Sequence, residues 1–459
     1  MAEIAFTPTA YYTLVCLVGV TVLLKLRSLL LSRHGDGALR LPPGPWPLPV
    51  IGNMHCLFGA LPHHAMRRLA HSKHWKDARR LCATELLSPK RVLSYRPVRE
   101  EETAKLVAAV SSSSPAPVNL TERIKVVMND ILMRCAIGDT SPMRDEYIQA
   151  LDKGIKLMAG FNLIDLFPGS WLARLLGGAS LRAAMESHNK IDGIMQAIIQ
   201  DHATKGATSG DDDDHHREDI LDLLLRFQRE GGLGITLTRE VLSGVMLDVF
   251  SAGAETTATT TIWAMSEIAR NPGVMERAQS EVRQVLHGKS TVKEEDIQGR
   301  LPFLQMVIKE TLRLHPPAPL LLPRHPSEQS NVMGYDIPKG ATVFVNAWAI
   351  GRDENSWPHA NEFRPERFED EGTDFSGADF RFLPAGAGRR MCPGLMFGLS
   401  NIEIALASLL YHFNWRMPGG AKPNKLDMEE AYGITAQRKS DLLLEAIPFV
   451  PHGSVSSHD

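Results

Sequence analysis

One thiol, Cys392, lies in the run Pro384-Ala385-Gly386-Ala387-Gly388-Arg389-Arg390-Met391-Cys392-Pro393-Gly394. Glycines and prolines at this density favour turns, so the sulfur projects from a loop. That arrangement suits axial ligation of a haem iron, which takes an anionic, electron-donating sulfur. The glycines let the backbone approach a flat macrocycle, and a cation two residues before the thiol can neutralise a propionate. A lone cysteine is more often a small inert hydrophobe. The weight therefore falls on three segments upstream.

The first is Ala252-Gly253-Ala254-Glu255-Thr256-Thr257. Leu242, Val245, Met246, Val249 and Phe250 before it recur at helical spacing, so Ala252 and Thr256 share one helix face. Small residues followed by an acid and a hydroxyl would open a local gap for a diatomic ligand and its protons. The alternative is a helix that merely tolerates poor helix formers. The second segment is Glu310-Thr311-Leu312-Arg313, on a helix that starts near Leu301 and Pro302, where proline suits the first turn. A Glu and an Arg three apart share a face, a pairing that contributes about 0.2–0.5 kcal/mol on an ordinary surface helix. The third, Pro365-Glu366-Arg367-Phe368, offers a second cation for a buried Glu-Arg-Arg network, structural rather than catalytic.

In this order the segments resemble the cytochrome P-450 superfamily of haem-thiolate monooxygenases, over nearly the whole chain. Pro42-Pro43-Gly44-Pro45 and Arg313-Leu314-His315-Pro316-Pro317 are most similar to the plant A-type microsomal branch. The resemblance implies a mainly α fold with a minor β-sheet behind an N-terminal transmembrane anchor helix. It implies haem b with Cys392 as axial and metal ligand, and a thiolate that favours O–O cleavage and oxygen insertion into a C–H bond. Thr256 with Glu255 would serve protons to bound O2, with Ala252 and Gly253 leaving it room. Arg390 and Arg324 would meet the propionates, as would Trp75 and Arg79, in a Trp-x-x-x-Arg spacing that aims both at one point. Glu310, Arg313 and Arg367 would hold the fold below the haem. Pocket positions by family are Ala252, Thr256, Ala318, Pro319, Leu320, Leu321, Gly433, Ile434 and Thr435, mostly apolar and suited to a hydrophobic small molecule. Plant relatives act on terpenoids, alkaloids, phenolics and fatty acids, and no residue chooses among them.

Two departures stand out. Ala385 occupies the position, seven before the ligand, where the family carries phenylalanine, which would tune the thiolate's surroundings. Between Trp46 and Trp75 the family places several dozen more residues. Here only Pro62 to His74 fills the gap, so early strands and part of the distal covering would be lacking.

Phe6 to Leu24 is nineteen residues without a charge, close to the length that spans a hydrocarbon core. Lys25, Arg27, Arg33 and Arg40 follow against one acid, Asp36, which places the body in the cytosol by the positive-inside rule. With no convincing cleavage site, the expectation is a single-pass anchor in the endoplasmic reticulum. Domains read as 1–31 anchor, 32–52 basic, proline-rich hinge, and 53–459 haem-binding body.

At 44% hydrophobic residues the body has ample core, and a net charge of −3 gives no reason to expect nucleic acid. The five cysteines are widely spaced, without a disulfide framework, which suits a reducing compartment. Asp211 to Asp214 with His215 and His216 form a charge run that reads as a solvated loop, with weak metal binding as the alternative. No Gly-x-Gly-x-x-Gly fingerprint accompanies a strand-to-helix turn. Electrons would come from NADPH through a separate cytochrome reductase. Two other functions stay open: a haem-dependent rearranging enzyme, and a shortened, catalytically silent relative.

Overall fold

A computed structural model describes residues 73–138, 143–159, 171–208, 218–231, 236–369, 372–431 and 433–449. The anchor Phe6–Leu24, the proline-rich hinge, the segment Pro62 to Ser72, and the run Asp211 to His216 lie outside the described residues.

The longer helices are α1 (Lys73–Leu81), α2 (Arg96–Ser111), α3 (Leu120–Ile137), α4 (Arg144–Ala159), α5 (Trp171–Thr208), α6 (Ile220–Glu230), α7 (Arg239–Arg270), α8 (Pro272–Val285), α9 (Pro302–Leu314) and α10 (Leu395–His412). Strands are short: β1 (Val118–Asn119), β2 (Ser330–Val332), β3 (Tyr335–Ile337), β4 (Phe413–Arg416) and β5 (Leu443–Pro448). The expected mainly helical fold with minor sheet is what is found. Antiparallel strands run in the order β1-β5-β4, with Val118 opposite Leu444 and Trp415 opposite Ala446, while β2 and β3 form a separate hairpin.

The central element is α7. Thr238 caps its start by accepting from the Val241 N–H, and Pro272, which cannot continue a helix, ends it and opens α8. The helix packs against α3 on one side and α10 on another. Its second half, Thr257 to Ala269, is buried on every face. That requires an all-round apolar or hydrogen-bonded surface, and the threonines comply by donating to carbonyls one turn back: Thr260 to Thr256 and Thr261 to Thr257, both at 2.8 Å. Helix α10 is apolar and long enough to cross a membrane, but 61% of it is buried within the fold, the mark of a core helix. The expected anchor is a different segment.

Helix α9 begins at Pro302, as its sequence predicts, and carries Glu310 and Arg313 into the interior. Both side chains are 0% exposed and pair at 2.7 Å. The sheets and the turns after α9 then bring the C-terminal stretch 433–438 alongside α7.

Candidate active site

The loop before α10 is built from tight turns. Gly386 and Gly388 have φ of 71° and 64°, left-handed values that disfavour side chains. The Cys392 N–H donates to the Ala385 carbonyl at 3.0 Å and closes the loop. The contact recorded for Ala385 is thus a backbone one, which phenylalanine would supply equally. Cys392 lies three residues before α10, whose N-cap is Gly394 and whose first-turn N–H groups favour negative charge. It borders open space, so its surface is exposed. Protein packed around that space still desolvates the sulfur. This burial pushes the thiol pKa up, and the Gly394 N–H and Arg79 oppose the shift without cancelling it.

Three cations from distant parts of the chain converge on this loop. Arg79, on α1, donates to the Met391 carbonyl, beside the cysteine. Arg324 is fixed by a two-way backbone bridge to Val343, with both bonds at 2.8 Å, and its Nη2 lies 3.9 Å from where a Cβ on Gly386 would stand. Arg390 sits in the turn Gly388–Arg390. Burial lowers the pKa of Arg324, and the charge of Arg79 lowers it further. Arg390 is lowered by burial, then by Arg324, Arg79 and Arg389. Like charges held together at some electrostatic cost mark a place for anions. Trp75 lies on α1 one turn before Arg79.

The middle of α7 faces open space along one stripe. Asp248 and Ala252 are exposed and Thr256 half-exposed, at successive i to i+4 positions, while Met246, Phe250 and Ala254 between them are buried. Protein around Asp248 nevertheless desolvates its carboxyl and raises its pKa. The Thr256 hydroxyl donates to the Ala252 carbonyl at 2.6 Å. Gly253 turns away from this stripe. A Cβ there would meet the Leu132 side chain of α3 at 3.1 Å, so the glycine serves helix packing.

Glu255 does not join Thr256. Its Oε1 accepts from the Thr435 hydroxyl and from Gln437 Nε2, each at 2.5 Å. Gln437 in turn accepts from Lys125 of α3 at 3.0 Å. Consecutive helix residues point about 100° apart, which separates the two side chains. Thr435, expected to line a pocket, is buried and spends its hydroxyl on Glu255. Gly433 and Ile434 beside it are half-buried.

Farther along α7, Trp263 donates to the Ala436 carbonyl at 2.7 Å, and the Ala436 N–H reaches the Pro317 carbonyl at 3.0 Å. The turn Ala318 to Leu321 is thereby joined to both α7 and residues 433–437. Its four residues are half-buried, and Leu321 touches the space beside Gly386. His315 stacks on Trp263 with ring centroids 4.0 Å apart and bonds Glu267 at 2.8 Å. Lys125, Gln437, Trp263 and His315 were not anticipated as supports. No periodic signal pointed to them, because residues 433–437 lie outside any helix or strand.

Glu310 binds Arg313 through both oxygens, at 2.7 and 2.8 Å, and Arg367 at 2.9 Å. The remaining guanidinium donors go to the carbonyls of Gly351, Ala360 and Glu362 from Arg313, and of Pro358, His359 and Glu362 from Arg367. The surface reading of this pair is excluded by its burial.

A cysteine sulfur facing open space beside clustered guanidiniums fits a cofactor with a soft metal centre and carboxylate arms. The sequence profile of the Cytochrome P450 family matches residues 61–444. The chain is 40% identical to the desmethyl-deoxy-podophyllotoxin synthase of Sinopodophyllum hexandrum, over 90% of this chain and 92% of that one. It is 37% identical to the premnaspirodiene oxygenase of Hyoscyamus muticus, over 94% and 98%. Identity to the ent-cassadiene hydroxylase of Oryza sativa is 39%, over 94% and 96%. The chain thus belongs to the cytochrome P450 family of haem-thiolate monooxygenases, which use O2 and a redox partner on small hydrophobic substrates.

Proposed function

We propose that Cys392 is the thiolate ligand of haem b, that Trp75, Arg79, Arg324 and Arg390 bind the propionates, and that the substrate is an apolar terpenoid-like metabolite. The convergence of the three arginines on the cysteine loop carries this reading. When bound, the haem supplies activation of O2 and transfer of one oxygen atom to a C–H bond. In balance, substrate, O2, NADPH and a proton give hydroxylated substrate, water and NADP+.

The protein's part is positioning and proton supply. Thr256 Oγ1–H donates to the Ala252 carbonyl beside the open stripe of α7, and it would relay protons by taking one from solvent as it gives one up, its hydroxyl unchanged by turnover. Glu255 contributes by fixing residues 435–437, which frame the apolar pocket with Ala318 to Leu321. The relatives named for dienes support an apolar substrate.

Electrons come from an NADPH–cytochrome reductase. Residues 1–31 anchor the chain in the endoplasmic reticulum membrane and 32–52 form the hinge, with the catalytic body 53–459 facing the cytosol. This body lacks part of the early sheet and distal loop. In support, the alignments with two relatives run over 473 and 502 positions, more than the 459 residues of this chain, and so contain gaps on its side.

The test is the carbon monoxide difference spectrum of the reduced full chain. A strongly red-shifted Soret band is expected, and a neutral-ligand band or none would refute Cys392 as thiolate. In the same protein, Thr256→Ala should lower product formed per NADPH consumed while leaving that band in place. An unchanged coupling ratio would remove Thr256 from proton delivery.

A further inference from the structure

We propose that His202, Asp219 and Asp222 form a second metal site, for a divalent transition ion of the zinc type. They sit on α5 and α6, which contribute no residue to the cysteine site. The inference does not depend on the haem reading.

Asp219 caps α6. Its Oδ1 accepts from the Asp222 N–H at 2.8 Å, and Asp222 Oδ2 accepts from the Asp219 N–H at 3.3 Å. This reciprocal cap occupies one oxygen of each carboxylate. The other two converge on His202 Nε2, Asp222 Oδ1 at 2.8 Å and Asp219 Oδ2 at 3.3 Å. All three candidate ligand atoms lie within 4.8 Å of one another.

His202 Nε2 lies within hydrogen-bond distance of Asp222 Oδ1. Asp219 is 2% exposed, and its Oδ2 is buried with no hydrogen bond reaching it. A buried carboxylate oxygen without a donor is costly. Burial accordingly raises the Asp219 pKa to about 7. A dication among the three atoms would satisfy Oδ2, balance both carboxylates and take the imidazole lone pair. Separations of 2.8 and 3.3 Å match the edges of a coordination polyhedron with metal–ligand bonds of about 2.0–2.2 Å. One imidazole and two carboxylates suit zinc and its neighbours, whereas magnesium and calcium favour all-oxygen sets.

Full-length holoprotein, washed with chelator, equilibrated with Zn2+ and desalted, should retain about one zinc per haem iron by elemental analysis, with a raised unfolding midpoint. Asp219→Asn preserves the helix cap, since asparagine caps as well as aspartate. It should nonetheless bind zinc more than roughly tenfold more weakly, as should His202→Gln. Asp222→Asn serves if either variant loses the carbon monoxide spectrum of a folded chain. Changing Asp211 to Asp214, His215 and His216 together to serine should leave retention intact. The site is overturned if the unaltered chain retains no zinc, or if retention survives the ligand variants and disappears in the serine control.

Discussion

Two arginine-rich regions of this molecule handle charge in opposite ways. Around Glu310, two guanidiniums share one carboxylate and donate to backbone carbonyls from residues 351 to 362. Around Cys392, burial lowers the proton affinity of Arg324 and Arg390, and the charge of Arg79 lowers both further. The first region is complete as folded. The second, in the proposed reading, meets a ligand that brings negative charge. The first network is thus defined by hydrogen-bond donors that the fold itself uses up, and the second, in the proposed reading, by a guest that the cations meet.

Removing Glu310 gives the largest expected effect. Glu310→Gln leaves Arg313 buried without its counter-ion and should cost roughly 3–5 kcal/mol, a large share of a total that is typically about 5–15. Denaturant melts and haem content per chain report it. A loss below about 1 kcal/mol would place this network in the same class as surface pairs. Arg324→Ala and Arg390→Ala should separate two quantities that move together at Glu310. Relieved repulsion leaves the haem-free chain no less stable, while haem retention weakens by about 1.5–3 kcal/mol per lost charged bond. Haem transfer to apomyoglobin measures this, and equal losses in both quantities would erase the distinction. Thr435→Val is the mildest. It removes one of the two donors to Glu255 and should cost about 1 kcal/mol in melts, with the carbon monoxide band unchanged.

Spacing made some of this legible in advance. Pro302 marked the start of α9, and Glu310 and Arg313 had to share a face because three residues nearly complete a turn. Their burial was less accessible, because the carbonyls that complete the network belong to a loop without periodicity. Glu255 and Thr256 show where adjacency misleads. Neighbours on a helix diverge, and the partner of Glu255 lies 180 residues away, in an irregular segment without periodicity. The stack of Trp263 on His315 depends likewise on how α7 crosses the end of α9. The three arginines could be assigned to one cofactor only through resemblance to a family, since positions 79, 324 and 390 share no local pattern.

The bond from Arg79 to the Met391 carbonyl ties together residues 312 apart in the chain. At a synthesis rate of about 5–20 residues per second, Arg79 is made roughly 15–60 s before its acceptor. For that interval α1 has no cysteine loop to dock on. The cationic cluster can be assembled only when translation has passed Met391, so closure of the site follows the making of every helix up to α9.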